Sequence, residues 1–360
     1  MELERKPDFD RALARFEAWW DRQILDRPPV TVTVRPEQPP RLPEKHHADL
    51  RTRWLDVEYA VDCAEAEAAA GIYLAETFPR YEPSVGPEVA STVFGCDLEF
   101  TPRTSYSKPI AASCRDVLAL RPNLDTPYWQ NIRAKTDLSL ERGRGRWITA
   151  MPDLHTNGDL VASLRDPLNL CYDLADDAQA VRAACDHVTT AGYTLMFQDI
   201  WRRIAAAGQP CTNWTPVLHA GPMYTVACDF IGLISTPMFC NAILPSIRRE
   251  MTHLDRRLFH VDGAGALRHL DALLERPEIE AIQWVYGAGH GPAAKWIDVY
   301  KRIQAAGKGL QLIAESLDDA RATASHLRPE GVWLFVEGEV GRDEAEAFIR
   351  WAERWAAHAH

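Results

Sequence analysis

The sequence predicts an α/β protein: a closed (β/α)8 TIM barrel carrying an N-terminal helical and irregular lobe. Three observations lead there. From residue 147 onward, short apolar runs of strand type alternate with helical patterns to the end of the chain, which implies parallel strands joined by right-handed crossovers. Those runs repeatedly end in polar side chains, as strands do at the C-terminal mouth of a barrel. No glycine-rich phosphate loop follows the first strand, so a dinucleotide-binding doubly wound sheet is poorly supported.

A chain of 360 residues can bury a large core. One structural unit is expected, with residues 1–145 forming a lobe and lid segments that contribute to the mouth and residues 146–360 forming the barrel body. The net charge of -11 and pI near 5.6 argue against nucleic acid or an anionic membrane as partner, since either wants a basic face. A small molecule is the expected partner. The first ten residues are charged, and no apolar run approaches the roughly 18–20 residues needed to cross a bilayer, which predicts a cytoplasmic protein. Eight cysteines without a CxxC pair signal neither a disulfide framework nor a thiolate zinc site, and read as small apolar residues.

In chain order, a helical pattern over Phe9 to Ile24 carries Phe16, Trp19 and Trp20. The run Val30-Thr31-Val32-Thr33-Val34 is β-branched throughout and favours a strand, ended by Arg35-Pro36. Pro39, Pro40 and Pro43 make the next stretch loop, and the adjacent His46 and His47 beyond it read as solvated. Ala48 to Ala75 is helical in composition. Phe78 to Tyr128 is broken by seven prolines, a texture suited to a lid or binding wall, and Trp129 at its end either walls the pocket or packs beneath the loop. Trp147 to Met151 is the next strand and delivers Asp153 and His155. A long helix from Asp177 to Ala207 starts on Asp176-Asp177 and stops at Gly208. Met223 to Asp229 is a strand ending in a carboxylate, and Thr236-Pro237 opens a helix running through Glu250. Later strands are expected at Leu258–His260, Ala281–Val285, Leu310–Ala314 and Val332–Val336. Their helices fall near Ala266–Leu274, Ala293–Ala306, Asp318–His326 and Glu344–Ala357.

The most informative stretch is Leu258-Phe259-His260-Val261-Asp262-Gly263-Ala264-Gly265. Strand side chains alternate, so His260 and Asp262 share a face and aim an imidazole and a carboxylate at one point. The other strand ends add Asp153, His155, Asp229, Gln283, Glu315 and Glu337. Asp153 and His155 form a candidate acid–base pair, or a loop-capping pair. Asp229, a carboxylate ending an apolar strand, is a further catalytic candidate. Gln283 and Trp284 precede a glycine-rich loop, Tyr286-Gly287-Ala288-Gly289-His290-Gly291, whose backbone can approach a ligand closely. Gln283, Trp284, Tyr286, His290, Glu315 and Trp129 are therefore the candidate substrate contacts. Twelve tryptophans allow a ring-stacking sugar or aromatic substrate, although Trp333, Trp351 and Trp355 have the spacing of core residues.

The order of features from Arg146 onward resembles the uroporphyrinogen decarboxylase superfamily. The segments that carry the likeness are Leu160–Asp177, Ile204–Gly208, Asp229–Pro245 and above all Phe259–Gly265, with Asp26-Arg27-Pro28-Pro29-Val30 matching the entry into the first strand. The chain is closer to the corrinoid-linked methyltransferase branch than to the decarboxylase. That branch implies a zinc site made of His-x-Cys at this strand and a second cysteine at the end of the last strand. Here His260 matches the histidine, Asp262 stands at the first cysteine position, and Glu337 falls near the second. A His260, Asp262, Glu337 set is implied, harder than one with thiolates and suited to zinc or another divalent ion such as manganese, iron or magnesium. The decarboxylase's arginine-rich signature is replaced by Arg35-Pro36-Glu37, so a tetra-acid substrate is not expected. The resemblance implies metal-dependent transfer of a methyl group from a small methylated substrate to a corrinoid, carried by a partner protein, or to another acceptor. The alternatives are a decarboxylase or lyase acting on an organic acid or sugar-derived substrate, and a non-catalytic protein that binds a small molecule or corrinoid.

Overall fold

A computed structural model of the chain describes residues 1–357. Among these residues eight parallel strands occur in chain order: β1 (Val30–Val34), β2 (Arg80–Tyr81), β3 (Ile148–Thr149), β4 (Met223–Val226), β5 (Arg256–Asp262), β6 (Ala281–Val285), β7 (Gly309–Ala314) and β8 (Val332–Val340). Six form one parallel sheet in the order β1-β8-β7-β6-β5-β4, and β2 pairs with β3. Isolated hydrogen bonds, in place of a ladder, bridge the two seams. The Glu76 amide donates to the Val30 carbonyl at 3.0 Å beside β1. Between β3 and β4, the Leu154 amide donates to Tyr224 Oη at 2.6 Å, and that hydroxyl donates to the Pro152 carbonyl at 3.0 Å. The curled parallel sheet and its outer helices bear out the barrel expected from the sequence.

Alternation sets what each strand contributes. On β5, β6 and β7, His260, Gln283 and Gln311 lie side by side in register, while Leu310, Leu312 and Ala314 pack outward, fully buried beneath helices. The helix Phe9–Trp20 stops the N-terminal end. Trp19 donates its indole N–H to the Gly331 carbonyl, which precedes β8, and both Trp19 and Phe16 meet Trp333 edge to face. The opposite end, where the strands finish, is the open mouth.

Sequence and structure differ in instructive places. The eighth strand, β2, is two residues long and lies inside the proline-broken segment expected to be lid; β1 and β2 thus bring the first 145 residues into the barrel wall. One apolar core continues through both halves of the chain. The long helix expected from Asp177 is present as Ala178–Val188 and Thr194–Ala206 joined by a π turn, Thr189–Tyr193. A second π turn, Phe239–Ile243, interrupts the helix leading to Glu250. No helix among the described residues is long and apolar enough to cross a membrane. The eight cysteines are all unpaired, and five of them are buried.

Candidate active site

Strand β5 presents His260 and Asp262 toward the mouth, as the alternation predicts. His260 Nδ1–H donates to the Gln283 side-chain oxygen on the neighbouring strand. That bond fixes the ring and leaves Nε2 as the nitrogen turned to the mouth. Nε2 lies 3.7 Å from Asp229 Oδ1, and the ring meets the Trp214 indole edge to face at 5.0 Å. One ligand atom each from Asp229, His260 and Asp262 lies within 4.8 Å of the others. Burial and the nearby Asp229 carboxylate push Asp262 upward, against the pull of His260. An electrostatic load of this kind is relieved by a cation.

Two carboxylates and an imidazole with a nitrogen turned to the mouth suit a divalent ion. Bond lengths near 2 Å require these side chains to draw together. Asp229, half-exposed beyond the end of β4, has the freedom to do so.

The third side chain grouped with His260 and Asp262 is therefore Asp229, and not the Glu337 implied by the resemblance. The cause is local. Register between β1 and β8 slips after Val32, so Glu337 and Gly338 form a bulge, with Gly338 at φ 76°. Glu337 is exposed there and lines a separate acidic cleft with Glu315.

Next to the trio stands the pair Asp153 and His155, their Oδ2 and Nε2 3.4 Å apart. Burial alone would depress His155, but Asp153, Asp159 and Asp229 outweigh it and raise the imidazole to about 10. His155 is thus an imidazolium at neutral pH, a proton donor rather than a base. Four other residues that sequence reasoning missed complete the surroundings. Asp159 is buried and accepts the Asp229 and Phe230 amides, both at 2.9 Å, so it holds the loop that carries Asp229. Glu82, just past β2, is raised to about 7 by burial and by Asp153, against the pull of Arg80. Arg80 donates to the Asn213 and Trp214 carbonyls and so holds Trp214 beside His260. The one signal for Asp159 was its place in the first turn of a helix, after His155. Glu82 and Trp214 sit in irregular segments where no period points to them.

The remaining candidates scatter. Gln283 belongs to the site through His260. Trp284 is fully buried and packs edge to face on Trp296, because its neighbour Gln283 takes the inward position; it supports the strand from outside. Tyr286 stacks on the same Trp296 at 6.5 Å, its hydroxyl buried and unpartnered. His290 is exposed on the glycine-rich loop, and its carbonyl accepts from Trp296. Trp129 is fully buried in the helix Pro127–Arg142 and donates to Asp199 at 2.8 Å, so it packs beneath the surface instead of walling a pocket.

A cleft of about 510 Å³ opens onto His155, Asp159 and Asp229. Tyr106, Pro109, Phe230 and Leu233 form apolar parts of its wall. Its charged lining is Glu88, Asp159, Asp166, Asp229 and His155, with neither lysine nor arginine.

No family profile matches the sequence. No curated protein matches it either. Among solved structures, a methyltransferase from Methanosarcina mazei aligns with a TM-score of 0.61 at 12% identity, covering 95% of this chain and 98% of that one. A B12-independent methionine synthase from Shewanella sp. W3-18-1, in complex with selenomethionine, aligns with a TM-score of 0.42 at 10% identity over 92% of this chain and 96% of that one. The chain shares with the Methanosarcina methyltransferase the uroporphyrinogen decarboxylase-like barrel fold that the resemblance in sequence implied.

Proposed function

We propose that the chain is a metal-dependent enzyme that transfers a methyl group from a small methylated compound to a corrinoid or another acceptor. The observation that carries the reading is the trio of Asp229, His260 and Asp262 at the barrel mouth, with His260 Nε2 turned to it by the bond to Gln283. The shared fold with a methyltransferase supports it. Zinc fits the donor set, and so do harder divalent ions. A bound divalent ion would supply Lewis acidity toward the atom that loses or gains the methyl group.

The chain's own residues do the rest. Gln283 holds the His260 tautomer, and Asp159 holds the Asp229 loop. His155, kept protonated by Asp153, offers a proton or a charged hydrogen bond to a group in the cleft. The lining selects the substrate's charge. Organic acids need cationic partners, and this cleft supplies four carboxylates and one histidine. A neutral or cationic methylated compound is favoured over the acid that a decarboxylase would take.

Metal analysis of the purified full-length protein tests the reading. About one divalent ion per chain is expected after incubation with zinc or manganese and removal of the excess. His260→Ala and Asp262→Ala should each lower occupancy at least tenfold. A wild-type protein that holds no ion, or variants that hold as much as wild type, would remove the metal from the mechanism. Methyl transfer itself is read by incubating the loaded protein with reduced cobalamin and a panel of methylated amines, sulfides and acids. Tight binding of a panel member with no turnover would favour a non-catalytic binding protein.

A further inference from the structure

Behind the mouth, in the outer helical layer, Glu250 is completely buried near the end of the helix Leu244–Met251. One of its carboxyl oxygens accepts from Thr156 Oγ1 at 2.6 Å and from Asn157 Nδ2 at 3.0 Å. The same Asn157 amide donates to the Ala227 carbonyl at 3.0 Å, and Asn157 Oδ1 accepts the Gly158 amide at 2.6 Å. Asn157 holds a left-handed φ of 49°, a conformation that side chains other than glycine adopt at a cost and that asparagine tolerates best. Thr156 and Asn157 lie between His155 and Asp159, and Ala227 lies two residues before Asp229. A single buried carboxyl therefore meets the loop after β3 and, through Asn157, the end of β4.

We propose that Glu250 is the positioning residue of the site: it ties the segment bearing His155 and Asp159 to the strand end bearing Asp229, and so sets the acid–base pair at its distance from the Asp229, His260, Asp262 trio. The proposal rests on the reading of that trio as the functional centre. A carboxyl at this depth is costly, and core packing alone would be met by an apolar side chain. Its second oxygen has no partner, and neither does the buried hydroxyl of Tyr193 on the π turn packed against this helix. Burial pushes the Glu250 carboxyl up to about 7, with Asp159 adding to the effect of burial and the bonds from Asn157 and Thr156 opposing it. Near neutral pH a large part of the population is the uncharged acid, which an amide can replace.

The test compares Glu250→Gln and Glu250→Leu in the full chain, with zinc affinity by calorimetry and the His155 titration by NMR as the two readouts. Glu250→Gln keeps an oxygen facing Thr156 and Asn157, and should stay within about threefold of the wild-type Kd and keep the high His155 midpoint. Glu250→Leu should weaken zinc roughly ten- to a hundredfold, the range for residues that orient ligands from behind. Its His155 midpoint should fall below that of the wild type as Asp229 moves away, with Asp153 and Asp159 remaining on the same segment as His155. If Glu250→Leu does not fold, Asn157→Gly takes its place, since glycine keeps the left-handed backbone and removes only the amide; the same two losses are expected. A folded Glu250→Leu or Asn157→Gly with wild-type zinc affinity and wild-type His155 titration overturns the proposal. A Glu250→Gln as damaged as Glu250→Leu overturns it too. Should wild type bind no zinc, the metal reading fails alone, and the His155 titration still decides the role of Glu250.

Discussion

At His155, three carboxylates act on an imidazole whose side chain is 24% exposed. Its midpoint of about 10 stands against an ordinary value of 6.5. The sign follows from linkage: the stability contributed is complete below about pH 6.5 and is lost as pH rises through about 10. Glu82 and Glu250, each raised from 4.5 to about 7, act in the same sense, because burial favours their protonated forms and that advantage disappears as pH rises from 4.5 through 7. The mouth should therefore loosen toward alkaline pH. Urea midpoints at pH 6, 8 and 10 should fall in that order, and Asp153→Asn should bring the NMR midpoint of His155 down by more than one pH unit. A His155 that titrates near 6.5 in the wild type would show that the Asp153 pairing is not maintained in solution, and His155 would return to the role of a base.

The loops that carry the trio meet at two glycines. A Cβ on Gly265, in the helical turn that follows Asp262, would lie 2.7 Å from the Gly232 carbonyl oxygen, in the turn that follows Asp229. Backbone cannot swing aside as a side chain does, so Gly265→Ala should push the Asp229 turn outward. The expected cost is about 1–3 kcal/mol, as for other overpacked sites, together with a weakened metal site; unchanged stability and unchanged zinc occupancy would show that the turns separate freely. The same pair of turns explains what sequence reasoning could reach. The strands from Ile148 onward were legible because each buries a short apolar run between helical patterns, and His260 with Asp262 was legible because period-two alternation needs no tertiary knowledge. Strand β2 was hidden because two residues between Pro79 and Pro83 carry no period. Asp229 was found as a carboxylate at a strand end, but its place beside His260 depends on the Asp159 bonds and the Gly232–Gly265 approach, which are contacts between separate loops. Glu337 was displaced from the expected set by a bulge in β8, and a two-residue slip in register leaves no mark in composition.

The barrel as a whole depends on how its first strand is anchored, because β1 closes the six-stranded sheet on one side and faces the seam to β2 on the other. Glu76 sits at that seam with no exposure to solvent. Its carboxylate takes Arg27 Nη1 at 2.6 Å and Arg15 Nη1 at 2.9 Å, and accepts the Val30 amide at 2.6 Å. Arg15 belongs to the helix that stops the barrel floor and also pairs with Asp26 at 2.7 Å, so one buried group joins the floor helix, the entry to β1 and the approach to β2. The Asp26-Arg27-Pro28-Pro29-Val30 run that resembles the family's first-strand entry thus has a physical role in closing the barrel. Removing one member of a buried ionic network leaves its partners charged and desolvated, which costs more than the pair contributes by forming. Glu76→Ala should accordingly destabilise the protein by about 3–5 kcal/mol, read as a lower urea midpoint with an unchanged slope. Charge reversal at the surface pair of Arg302 and Asp271, both well exposed, should shift the same midpoint by less than about 1 kcal/mol. If the two substitutions cost the same, the seam is open to water, and β1 is held by its ladder to β8 alone.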